Sequence, residues 1–300
     1  MTSVIQTHDL RRSFDAFTAV NGINLDVPEG SVYGFLGPNG AGKTTTIRML
    51  LGLLRPTAGD VHLFGSSLQS NRTALLERIG SLVETPSLYS HLTGRENLEV
   101  IRRMLDLEPS AIDRVLTIVN LTDSANRLVK EYSLGMKQRL GLAQAMLASP
   151  ALLILDEPTN GLDPAGILEM RELLRRMPKE HGITIFLSSH LLNEIEQIAS
   201  HIGIINNGVL LFQGKPAELQ KQRHRHIEVE VDKPDRAAAL LTKKGWAVTK
   251  NSRNILHVQA TDRSDAAKVS GLLAQDSIAL FHLSLEQSSL EDLFLDLTKS

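Results

Sequence analysis

The sequence predicts an α/β protein in which a mostly parallel sheet is covered by helices, with a helical insertion and a small α+β module after it. Three observations predict this. Short apolar runs of strand length at 31–36, 151–155, 183–187 and 202–205 lack the alternation of a half-wet strand, which suits strands buried on both faces. Helical patterns at 43–54, 95–105, 136–148, 167–177 and 191–199 lie among these runs, and strand–helix repetition builds parallel sheets. Residues 84–150 carry helix signals and almost no strand signal, so they read as a helical insertion.

Beyond residue 220 the pattern changes. The polar, basic stretch 221–226 is followed by a cleanly alternating strand at 227–231 and a helix at 234–244. Strands at 246–249 and 254–259, a helix at 264–273 and a strand at 278–283 complete the order β-α-β-β-α-β, which is the ferredoxin-like arrangement. Residues 289–297 read as an amphipathic helix with Leu290, Leu293, Phe294 and Leu297 on one face. The expected organisation is therefore a first domain over 1–220, its helical subdomain at about 84–150, and a module over 221–300.

Composition excludes several classes. The 300 residues carry 32 Lys+Arg against 34 Asp+Glu, and a net charge of −2 gives no global attraction to nucleic acid or an anionic bilayer. The absence of cysteine removes disulfide scaffolds, thiolate zinc sites and thiol catalysis. No apolar run approaches the roughly 18 residues of a membrane helix. The first residues lack the basic start and apolar core of a signal peptide, so a cytoplasmic location is expected.

Chemistry enters at Gly37-Pro38-Asn39-Gly40-Ala41-Gly42-Lys43-Thr44, which fits G-x-x-x-x-G-K-[ST]. Glycines let backbone N–H groups curl around a phosphate, Lys43 can reach the β- and γ-phosphates, and the Thr44 hydroxyl can ligate Mg²⁺. A buried strand precedes the loop and a helix opens inside it, which turns a positive helix terminus toward the anion. Nucleotide binding follows. The run 151–155 then leads straight into Asp156-Glu157, a strand ending in carboxylates. Asp156 is placed to hold Mg²⁺ opposite Thr44, and Glu157 to polarise an attacking water. The chain has no Asn-Lys-x-Asp guanine-reading motif.

With these residues in place, the first 220 positions resemble the ATP-binding-cassette (ABC) ATPases. Asp156-Glu157-Pro158-Thr159-Asn160-Gly161-Leu162-Asp163-Pro164 is similar to that family's Walker B and D-loop. Tyr132-Ser133-Leu134-Gly135-Met136-Lys137-Gln138-Arg139 is similar to its signature, with Leu134 and Met136 where Gly and Gln are usual. Phe186-Leu187-Ser188-Ser189-His190 resembles its H-loop, and Phe14 stands where the family has an aromatic on adenine.

The resemblance implies a P-loop NTPase fold of the ABC type, with ATP and Mg²⁺ as cofactors. It places Phe14, Gly37, Pro38, Asn39, Gly40, Ala41, Gly42, Lys43, Thr44, Thr45, Ser133, Gly135 and Asp163 on nucleotide. Thr44, Asp156 and Glu84 fall on the metal, and Glu157, His190 and Lys43 on the chemistry. Glu84 replaces the usual Gln, which adds a negative charge near the γ-phosphate. The family completes each site with the signature of a second cassette, so a head-to-tail homodimer and a multi-span permease are implied as partners, with the chain peripheral on the inner face of the membrane and no nucleic acid partner.

The stretch around Glu84 and Pro86, the signature, and Ser289 to Phe294 together resemble the bacterial bacitracin-resistance and lantibiotic-immunity branch. The expected function is the ATP-hydrolysing subunit of an antibiotic or antimicrobial-peptide exporter. The competing class, a soluble ABC ATPase acting on nucleic acid or ribosomes, usually carries tandem cassettes, coiled coils or zinc insertions, none of which is seen here. The module over 221–300 is left open between dimer contact, ligand sensing and simple surface cover.

Overall fold

The computed structural model describes residues 2–221, 225–251 and 254–287. From the N-terminus come β1 (Ser3–Phe14), β2 (Phe17–Ile23), β3 (Asp26–Pro28), β4 (Val32–Leu36) and α1 (Lys43–Leu50). Next are β5 (Ala58–Leu63), β6 (Ser66–Ser67), α2 (Arg72–Leu76) and β7 (Ile79–Leu82). Three helices follow: α3 (Gly94–Met104), α4 (Ser110–Ile118) and α5 (Leu134–Met146). The chain returns through β8 (Leu152–Leu155), α6 (Pro164–His181), β9 (Thr184–Ser189), α7 (Leu192–Glu196), β10 (His201–Asn206), β11 (Val209–Gly214) and α8 (Pro216–Lys221). Contacts divide the chain into two compact units with the break between Pro216 and Ala217.

In the first unit, a six-stranded sheet runs β11-β10-β4-β9-β8-β7, parallel throughout except at the β11 edge. Every residue of β4, β8 and β9 is buried, which explains why those runs showed no alternation. Tyr33 and Phe35 of β4 pack on Phe186 of β9, each pair with ring centroids 5.4 Å apart.

The second sheet is antiparallel, in the order β2-β1-β5-β6 with β3 also paired to β1. Sequence reading did not find it, because the strands break their own period. The register of β1 shifts between Leu10 and Arg11 and between Arg12 and Ser13 against β2, and between His8 and Arg11 against β5. Such bulges move side chains from one face to the other and erase a period-two signal.

Between β7 and β8 the described residues form helices and loops and no strand, apart from an isolated bridge between Thr93 and Leu128. Helix α3 starts where the Thr93 hydroxyl accepts from the Glu96 amide while the Glu96 carboxylate accepts from Thr93, a reciprocal cap.

In the second unit, β12 (Arg225–Val231), α9 (Pro234–Lys243), β13 (Val248–Lys250), β14 (Leu256–Ala260), α10 (Arg263–Gln275) and β15 (Leu280–Gln287) form a four-stranded antiparallel sheet ordered β13-β14-β12-β15. This split β-α-β topology is the ferredoxin-like one. Ile227, Val229 and Val231 of β12 face Leu241, Val269 and Leu273 in one core, with Trp246 packed at its edge. The terminal helix expected at 289–297 lies outside the described residues.

Candidate functional site

The carboxyl edge of the parallel sheet gathers the chemistry, as open α/β sheets do. Strand β4 ends at Leu36 and turns through the glycine loop into α1. Gly42 has φ 108°, and a Cβ there would come within 2.5 Å of the Ala19 carbonyl on β2, so only glycine closes the loop at this point. No side chain caps α1, which leaves its first amides to an anion. Lys43 is 6% exposed. Its Nζ donates to the carbonyls of Gly37 at 2.7 Å and Pro38 at 3.3 Å, and lies 3.2 Å from Glu157 Oε1.

Strand β8 delivers the acids. Thr44 Oγ1 donates to Asp156 Oδ2 at 2.8 Å, joining the start of α1 to the end of β8. Ser188 on β9 donates to Asp156 Oδ1 at 2.5 Å and accepts from the Glu157 amide at 2.9 Å. A single buried hydroxyl thus orients both acidic positions. Sequence reading quoted Ser188 within the H-loop resemblance but gave it no role of its own.

Glu157 has φ 50°, a left-handed conformation that is strained for a non-glycine residue and recurs at functional sites. Its Oε2 lies 2.9 Å from His190 Nδ1. Lys43, Glu157 and His190 therefore form a continuous polar chain drawn from α1, the end of β8 and the end of β9.

A cavity of about 330 Å³ opens over the loop, lined by Pro38, Asn39, Gly40, Lys43, Thr44 and Thr45, by Glu157, and by Phe17 on β2. Ala41 is 2% exposed and supports the loop from beneath. Phe17, missed from sequence, is 62% exposed and lines this cavity, whereas Phe14 does not. Phe14 sits opposite Phe17 across the β1–β2 turn, with the Arg12 guanidinium 4.4 Å over its ring. Of the two aromatic rings at this hairpin end, Phe17 is the one beside the phosphate loop.

The remaining expected residues lie apart. Ser133 caps α5 by accepting from the Met136 amide at 3.2 Å, and Asp163 caps α6 by accepting from the Gly166 amide at 3.0 Å. A Cβ on Gly135 would meet nothing closer than 3.9 Å, at Gly166 and Leu162. Among the described residues no hydrogen bond or ion pair connects Ser133, Gly135 or Asp163 to the glycine loop. Glu84, just after β7, has φ 65° and takes the Arg48 guanidinium at 2.5 Å. No hydrogen bond or ion pair among the described residues joins Glu84 to Thr44 or Asp156.

Comparisons with known proteins agree with this geometry. Residues 20–160 match the ABC transporter family. The chain is 43% identical to the bacitracin transport ATP-binding protein BcrA of Bacillus licheniformis, over 99% of this chain and 98% of that protein. It is also 43% identical to the lantibiotic transport ATP-binding protein SrtF of Streptococcus pyogenes, over 70% of this chain and 90% of that one. Among solved structures, CbiO1 of Clostridium perfringens, part of the CbiONQ ABC transporter complex, superposes with a TM-score of 0.69 at 28% identity, covering 74% of this chain and 92% of that one. The chain belongs to the ABC transporter ATP-binding family and is an ATPase that couples ATP hydrolysis to transport.

Proposed function

We propose that this chain drives a bacterial exporter of peptide antibiotics, in the manner of bacitracin or lantibiotic transport. The observation that carries the reading is the length of the match to BcrA, which runs through the C-terminal unit as well as the cassette. The translocation path belongs to a multi-span permease, as the relatives' description as transport ATP-binding proteins supports; among the described residues no helix is long and apolar enough to cross a membrane. The chain docks on that permease at the inner face of the membrane.

The donor set fits Mg²⁺. The Thr44 hydroxyl and the Asp156 carboxylate converge within 2.8 Å, and hard oxygen donors of this kind suit that ion. Thr44 and Asp156 would hold it, and its positive charge would offset the charge that develops on the phosphate oxygens. Glu84, turned onto Arg48, stands outside this pair.

ATP enters with its phosphates in the glycine loop and its base at the Phe14–Phe17 hairpin end. A phosphate there competes with Glu157 for the Lys43 ammonium, so binding frees Oε1 of the carboxylate. Glu157 then accepts the proton of the attacking water, held on its other oxygen by His190. His190 stabilises the γ-phosphoryl group as charge develops there.

Gly135 and Ser133 serve a second copy. A Cβ on Gly135 would meet nothing closer than 3.9 Å, and Ser133, whose hydroxyl caps the start of α5, can turn to a phosphate there. Two chains paired head to tail complete two sites.

The test is susceptibility of the producing cell to a panel of cyclic and lanthionine peptides. Lys43→Ala should raise susceptibility at least as far as deletion of the chain does. Equal resistance in wild type, Lys43→Ala and deletion strains across the panel would contradict export of these peptides.

A further inference from the structure

Strands β1 and β5 carry a cluster that the nucleotide site does not use. His8 and Asp60 are direct cross-strand partners, and His62 follows two residues on, on the same face of β5. His8 Nδ1 lies 2.8 Å from Asp60 Oδ1, and His62 Nδ1 lies 2.9 Å from the same oxygen. The two rings meet edge to face with centroids 5.4 Å apart. Three donors from three side chains thus fall within 4.8 Å of one another.

The backbone builds this arrangement. The β1–β5 register shifts between His8 and Arg11, and Asp9 takes φ 46° there. Gly59 crosses so close beneath that a Cβ on it would be 2.3 Å from the Asp9 carbonyl and 2.5 Å from that of His8. A bulge beside a site commonly re-aims a side chain, and here it sets His8 over Asp60.

The hydrogen bonding leaves the cluster incomplete. His8 satisfies Asp60, while His62 Nδ1 is shielded from solvent and makes no hydrogen bond although Asp60 Oδ1 lies 2.9 Å away. A buried ring nitrogen aimed at a carboxylate and left unsatisfied is costly unless something else binds it.

We propose that His8, Asp60 and His62 bind one divalent transition-metal ion, of the class of Zn²⁺, which ties β1 to β5. Two imidazoles with one carboxylate select borderline ions such as Zn²⁺ over Mg²⁺ or Ca²⁺. Ligand atoms about 2.1 Å from a tetrahedral ion stand roughly 3.4 Å apart, so the present 2.8 and 2.9 Å contacts need only a small spread to admit one. His8 is 62% exposed, which leaves the remaining coordination positions to water.

The test is calorimetric titration of the untagged, nucleotide-free full chain with Zn²⁺ alone. Expected are a saturable binding event and the loss of one equivalent of bound ion, or about tenfold or greater weakening of it, in His62→Ala and in Asp60→Asn. His226→Ala should keep that equivalent; His226 belongs to a separate group with Glu228 and His257 in the second unit. Melting of His62→Ala and Asp60→Asn in chelator should match wild type, which separates lost ligation from lost folding. Unchanged Zn²⁺ binding in both variants, no saturable binding by the wild type, or a sole site abolished by His226→Ala would each overturn the proposal.

Discussion

Lys43 holds two loop carbonyls and Glu157 at once, and Glu157 in turn reaches His190. The sequence motifs name these residues, but they do not reveal that the ammonium and the carboxylate are partners of each other before phosphate enters. Glu84, expected from its chain position as a metal ligand, pairs here with Arg48, one turn beyond Thr44 on α1. With both side chains exposed, that pair contributes no more than about 1 kcal/mol. Glu84→Gln should therefore leave the folding stability within about 1 kcal/mol of wild type while shifting the Mg²⁺ concentration that gives half-maximal ATPase activity. An unchanged rate and Mg²⁺ requirement would confine Glu84 to its pair with Arg48.

In the first unit, the strands that sequence reading found are those buried on both faces. β4, β8 and β9 are continuous apolar runs because a parallel sheet covered by helices demands them. The antiparallel sheet was illegible because its bulges break alternation, and with it went Phe17 and the His8–Asp60–His62 cluster. Helix ends moved for local reasons. α6 begins at Pro164, three residues before the expected start, since Asp163 caps it and proline suits the first turn.

The α10 cap in the second unit makes an element-scale prediction. Asp265 accepts from Thr261 and from Lys268, and these bonds hold its carboxyl well below the usual carboxylate range. A lowered folded-state value means stability that is present in full above the ordinary carboxylate range and is lost as pH falls toward the lowered value. Asp265→Asn should lower the melting temperature at neutral pH, and the gap to wild type should narrow progressively below about pH 4. A gap that stays constant from pH 7 to the acid limit would contradict the assignment.

At the scale of the whole molecule, the two halves of the chemistry do not meet within one chain. The glycine loop, Asp156, Glu157 and His190 are linked by hydrogen bonds and ion pairs, while Ser133 caps α5 and Gly135 lies near Leu162 and Gly166, with no such link to the loop among the described residues. On the proposed reading a lone chain is an incomplete catalyst, and a second copy supplies Ser133 and Gly135. Conversion of Glu157 to Gln keeps the Lys43 and His190 neighbours but removes the base, which contributes on the order of 10²–10⁴ in rate. The central claim is tested most directly by light scattering of Glu157→Gln at saturating MgATP. The account predicts a particle of twice the 33.0 kDa chain that returns to monomer when nucleotide is removed or when Ser133 is also replaced by Arg. A Glu157→Gln chain that binds ATP and stays monomeric would contradict it.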